Sequence, residues 1–143
     1  MAWYYTPPDK LNPLEVDEPL RDLIAKINRS NWLRTEESCA GHPDRLGSAT
    51  GAWGTDIYLR LVVIKRNFFA LTRLFSMVDA CYAGIGKMSG WSVSLQYDRE
   101  DEDGIHFYFK LKYNEDIQMR KVAIEIVERE FAAVDGLREV FET

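Results

Sequence analysis

Ser38-Cys39-Ala40-Gly41-His42-Pro43 is the stretch whose residue types and spacing come nearest to a chemistry. A thiol and an imidazole three residues apart suit two reactive uses. Cys39 becomes a nucleophile if a neighbouring histidine stabilises its thiolate. Cys39-x-x-His42 also has the spacing of zinc ligands, with His106 as a further ligand type. A third use is non-covalent. Gly41, Gly47, Gly51 and Gly54 let backbone N–H groups close on an anion, and Arg45 adds positive charge. Pro43 biases His42 towards extended backbone, which holds the imidazole clear of the chain. Against all three stands a plainer expectation, a glycine-enabled turn in which Cys39 is a small buried hydrophobe.

A connection of roughly fifteen to twenty residues without regular structure is uncommon in a compact domain and is usually functional or disordered. The Thr35–Thr55 segment is such a connection. The expected site is therefore the end of the sheet that this segment occupies. Ser38, Cys39, His42 and Arg45 form its near shell, and Lys87 and Lys112 join from adjoining segments. A small polar or anionic ligand is the expected occupant. Neither a cofactor nor a reaction is named by these residues.

Asn28 to His42 reads Asn-Arg-Ser-Asn-Trp-Leu-Arg-Thr-Glu-Glu-Ser-Cys-Ala-Gly-His. It resembles a loose group of small bacterial proteins with a Ser-Cys-x-Gly-His segment after a helix ending in Ile-Asn. The segment is also distantly similar to the Ser-Cys-Ser-Gly-Arg motif of the wybutosine-synthesising tRNA methyltransferases. Ser38, Cys39 and Gly41 match that motif, while His42 stands where the family has Arg. The resemblance implies RNA modification with S-adenosylmethionine as an alternative function.

Two other stretches fail their motifs. Asp98-Arg-Glu-Asp-Glu-Asp-Gly104 suggests a calcium loop, but aligning Gly104 with the sixth position puts Arg99 first and Lys110 twelfth, where acids are needed. A solvated hairpin turn is the better reading. Gly84-Ile-Gly86-Lys87-Met88-Ser89 follows a helix and precedes a strand, the reverse of a phosphate loop.

The elements that must position the site follow from periodicity. Leu20, Leu23, Ile24 and Ile27 have helical spacing after Asp17, an expected cap. Residues 32–38 read as a short strand. Ile57, Leu59, Leu61 and Val63 alternate along a second strand. A second helix over 67–83 shows Phe68, Leu71, Phe75, Val78 and Tyr82 as its inward stripe, flanked by Leu74 and Cys81, and Gly84 and Gly86 end it. Trp91, Val93, Leu95 and Tyr97 alternate in a third strand; Ile105, Phe107, Phe109, Leu111 and Tyr113 do so in a fourth. Ile117, Ile124, Val127 and Phe131 mark a last helix capped by Asn114.

The predicted fold class is α+β, in the order α-ββα-ββα. A single mixed sheet of about four strands carries its helices on one face. The second and third strands should run in the same direction. That puts the long connection, the start of the third strand and Lys112 at one end. His106 goes to the other, which separates it from Cys39 and His42 and works against the zinc set. The other sheet face is partly polar.

The chain has 143 residues, enough for one domain with a sizeable core. Residues 1–16, with Pro7, Pro8 and Pro13, read as an extended arm, and 17–143 as the domain. Trp3, Tyr4 and Tyr5 on that arm lead to the expectation of a homodimer. Net charge is −5 and the pI about 5.1, which makes nucleic acid a less favoured partner. No run of apolar residues has the length of a membrane span. With two cysteines and no leader-like start, the protein is expected in the cytoplasm with Cys39 and Cys81 as thiols.

Overall fold

The computed structural model describes residues 18–39, 56–88, 90–112 and 117–137. A 3-10 turn over Glu18–Leu20 leads into α1 (Arg21–Arg29). Then come β1 (Leu33–Cys39), β2 (Asp56–Val63), α2 (Phe68–Ile85), β3 (Ser92–Asp101), β4 (Gly104–Lys112) and α3 (Ile117–Asp135). The fold is α+β, and the element order is the one read from the sequence. The N-terminal arm lies outside the described residues, as do Asp17 and Asn114. Leu20, whose side chain makes no capping hydrogen bond, stands at the start of α1.

The four strands form one sheet in the order β1-β2-β4-β3. The sheet is not mixed. β4 inserts between β2 and β3, so every neighbouring pair is antiparallel. β2 and β3 do run in the same direction, because both oppose β4. All three helices contribute to one apolar cluster with one face of the sheet. That face supplies Ile57, Leu59, Leu61 and Val63 from β2 and Phe107, Phe109 and Leu111 from β4. Leu23, Ile24 and Ile27 of α1 and Ile124, Val127 and Phe131 of α3 close over them. The period-two stripes of β2 and β4 are thus the core face.

Local chemistry fixes the joints. Asn28 ties α1 to β1: its Oδ1 accepts from the Thr35 N–H at 2.9 Å, and its Nδ2 donates to Thr35 Oγ1 at 3.1 Å. Asn67 caps α2 by accepting from the Ala70 N–H at 2.8 Å. Gly104 closes the β3–β4 hairpin with φ of +145°, and a Cβ there would lie 2.3 Å from the Val63 carbonyl oxygen. Only glycine suits that position.

α2 differs from expectation in two ways. Its buried row is Ala70, Leu74, Met77, Cys81 and Ile85, while Phe68, Phe75 and Tyr82 are exposed. The large aromatics are therefore on the outside of the helix. Gly84 does not end the helix; it lies within it, its Cα side 3.4 Å from Ile126 of α3 once a Cβ is drawn, and Gly86 is the cap. Small residues on that flank let the two helices approach. Among the described helices, α2 alone is long and apolar enough to cross a bilayer; 28% of it is buried inside the protein, with Leu74, Met77 and Cys81 fully so. Cys81 is a free thiol, and burial pushes its pKa up to about 12. It is not paired with Cys39, as expected, and it is inert at neutral pH.

Candidate functional site

The sheet face opposite the helices is polar, and two β-bulges arrange it. The β1–β2 register slips between Thr35 and Glu37, and the β3–β4 register slips between Tyr97 and Arg99. A bulge breaks strict alternation and re-aims side chains. Glu36 and Glu37 consequently both reach open-face partners, His106 and Tyr58. Asp98 and Arg99 do the same, reaching Arg60 and Glu36.

His106 is the hub of the half farther from the long connection. It is 1% exposed, and both ring nitrogens are engaged. Nδ1 meets Glu36, itself buried, and Nε2 lies 2.7 Å from Asp101 Oδ1. Each ring nitrogen of His106 thus has a carboxylate as its hydrogen-bond partner. Arg99 closes the network, 2.7 Å from Asp98, 3.2 Å from Asp101 and 3.6 Å from Glu36. The hydrogen bond from His106, helped by the Asp103 N–H, holds the Asp101 carboxyl down to about 2.

This gives a direct pH test. A carboxyl depressed by folding adds stability above its unfolded pKa of 3.8, and that share is lost as pH falls towards about 2. Asp101→Asn should therefore be less stable than the parent at neutral pH, and the difference should shrink in urea titrations run from about pH 4 to about pH 2. Parallel acid loss in both proteins would show that the contact contributes nothing.

The half nearer the long connection is built on Tyr58. Its side chain is fully buried and stacks on Tyr108 with ring centroids 5.5 Å apart. Its hydroxyl donates to Glu37 Oε1 at 3.1 Å. Arg60 donates to Asp98 at 2.6 Å and lies over the Tyr108 ring. Desolvation raises the Glu37 pKa, against the opposing pull of Tyr58 and Arg60. Burial thus makes the Glu37 carboxyl somewhat more basic than an exposed one.

The sequence-derived residues fall as follows. Ser38 pairs with Leu59 and Cys39 with Tyr58. Lys112 pairs with Asp56 on one side and Ser92 on the other, and it is exposed. Lys87 is exposed between α2 and β3. His42 and Arg45 lie outside the described residues. The register thus gathers Cys39, Asp56, Ser92 and Lys112 at one end of the sheet. It does not gather the zinc set. His106 pairs with Val62, four positions along β2 from the partner of Cys39, or roughly 13 Å.

The chain matches no family model, no curated protein and no solved structure. Chemistry must be read from the geometry. Ligand-type atoms of Asp101, Asp103 and His106 lie within 4.8 Å of one another. Both imidazole nitrogens are already bonded to carboxylates, so the cluster acts as a hydrogen-bonded brace. Its companions Glu36, Glu37, Tyr58 and Arg60 escaped the sequence reading. The signal for them was two adjacent acids, Glu36-Glu37, inside a strand, where alternation alone would set them on opposite faces.

Proposed function

We propose that this protein is a binding domain for a small polar or anionic ligand, held where β1 ends and β2 and β3 begin. The pairing register carries the reading: Cys39 opposite Tyr58, and Lys112 between Asp56 and Ser92. The 40–55 connection, with His42 and Arg45, leaves and re-enters the sheet at this end. The open face adjoining it offers the Glu37–Tyr58 pair. Lys112 and Lys87 supply cations. In this reading Ser38, Cys39, His42, Arg45, Lys87 and Lys112 contact the ligand without covalent chemistry.

An RNA substrate is the weaker alternative. Arg60, Arg66 and Arg99 are each ion-paired with acids of β3 or β1, so they offer little net charge to a phosphate backbone. A cytoplasmic setting is in keeping with the free thiol of Cys81.

A thermal-shift series with inorganic phosphate, nucleoside phosphates and small dicarboxylates tests the proposal. One of these classes should raise the melting temperature of the parent protein. Lys112→Ala and His42→Ala should each weaken that ligand roughly tenfold or more, as loss of a charged hydrogen bond does. Without ligand both should lie within about 0.5 kcal/mol of the parent. No shift for the parent, or equal shifts for the variants, overturns the reading. A response to tRNA or S-adenosylmethionine alone favours the RNA alternative.

A further inference from the structure

We infer that the outer flank of α2 and the edge strand β3 form a docking surface for a second copy of this chain. Phe68, Phe75 and Tyr82 are spaced seven residues apart, so they form one row about 21 Å long on the helix. Their exposures are 85%, 49% and 64%. α3 takes the opposite flank, where Gly84 meets Ile126 and Arg73 lies over Phe69 and Trp32. The row continues onto the sheet. Phe75 and Tyr97 both set their rings edge-on to Phe107, at 6.0 Å each, and Tyr97 is 59% exposed.

β3 is the outermost strand beyond β4. Edge strands are normally blunted by charge, proline or a bulge. Ser92 to Tyr97 carries neither charge nor proline, and the bulge falls only after Tyr97. The other edge, β1, is protected: it carries Arg34, Glu36, Glu37 and its bulge within seven residues.

A second copy fits this surface better than an unrelated partner. Two β3 edges meeting antiparallel about a two-fold axis would continue the sheet through eight strands. The same axis sets the two α2 helices side by side and antiparallel, so Phe68 faces Tyr82 of the other protomer and Phe75 faces Phe75. The uncharged part of the edge, Ser92–Tyr97, and the aromatic row need no opposite charge across the contact; the bulge and the charged run Asp98–Asp101 lie beyond it. The four aromatics leave on the order of 500 Å² exposed per protomer, and a standard interface takes about 800 Å² from each side. The β3 backbone edge makes up much of the rest. This contact does not use the N-terminal aromatic arm.

Sedimentation velocity of the full chain at about 10–50 µM should show a dimer, as for an ordinary stable interface. The double variant Phe68→Glu/Tyr82→Glu should raise the dissociation constant at least roughly thirtyfold. Its circular dichroism should match the parent, because both side chains are mostly in solvent. Hydrogen exchange of the parent provides a readout independent of any variant: dilution to the monomer should speed exchange of backbone amides within Ser92–Tyr97. A monomeric parent overturns the inference. So does a double variant that stays dimeric, or β3 exchange that ignores dilution. A parent that stays monomeric but binds phospholipid vesicles overturns it too, and assigns the row to a bilayer. None of these readouts involves the ligand of the proposed site, so the two proposals stand or fall separately.

Discussion

His106→Ala is expected to cost about 1–3 kcal/mol or more of folding stability, the range for leaving a buried polar group without its hydrogen-bond partner. Glu36 is 7% exposed on its side chain and, among the described residues, would keep Arg99 at 3.6 Å. Its carboxylate would remain buried without the close donor that satisfies it. Asp101 would lose the contact that depresses its pKa. Urea unfolding at neutral pH measures the loss directly. Glu36→Gln tests the cause: combined with His106→Ala it should cost clearly less than the sum of the two single changes, because the amide needs no cation. A loss below about 1 kcal/mol for His106→Ala would mean that water or a neighbouring group already satisfies Glu36, and the brace would not be a structural element.

That brace also explains where sequence periodicity stops being informative. β2 and β4 were legible because each is central in the sheet and buries a full row, Ile57 to Val63 and Phe107 to Leu111. β1 and β3 are edge strands with bulges, and a bulge resets the phase of the alternation. Past Thr35 and past Tyr97 the count of two no longer assigns a face. Alternation alone therefore does not show that Glu36, Glu37 and Asp98 meet His106, Tyr58 and Arg60. The position of His106 away from Cys39 was nonetheless legible, since it needed only strand direction.

The error on α2 has a different origin. That helix is apolar on more than one face, so spacing alone offers two inward rows. Phe68, Phe75 and Tyr82 carry the larger side chains and suggest themselves as core. The structure buries Ala70, Leu74, Met77, Cys81 and Ile85 instead. Beneath them lie the large rings of Phe107 and Phe109, and beside them α3 packs against Gly84. The space between helix and sheet is already filled from the sheet side, so the helix contributes small and flexible residues. The surplus aromatic row is left for another surface. The candidate ligand site was legible only in outline. Strand direction placed its end of the sheet, but alternation could not reveal the Glu37–Tyr58 pair beside it.

Trp32→Ala should be the most costly single change in the core, about 3–5 kcal/mol or more. Trp32 sits in the turn between α1 and β1 and is fully buried. It joins elements from both ends of the chain. Its ring stacks on Phe131 of α3 with centroids 6.0 Å apart, and Arg73 of α2 lies over the ring at 5.5 Å. Its Nε1–H donates to Asp135 at 2.9 Å, and its carbonyl accepts from the Ile64 N–H at 2.9 Å. Truncation to alanine therefore opens a cavity and removes the bond to Asp135, while the backbone hydrogen bond stays in place. Trp32→Phe separates the terms. It keeps most of the stack and loses the bond to Asp135, which should cost only about 1–2 kcal/mol. Asp135→Asn in the parent should cost less than Trp32→Phe, because the amide oxygen still accepts. Guanidinium unfolding of the three variants orders them. If Trp32→Phe were as damaging as Trp32→Ala, the hydrogen bond rather than the stacked ring would be what joins α1 and β1 to α3.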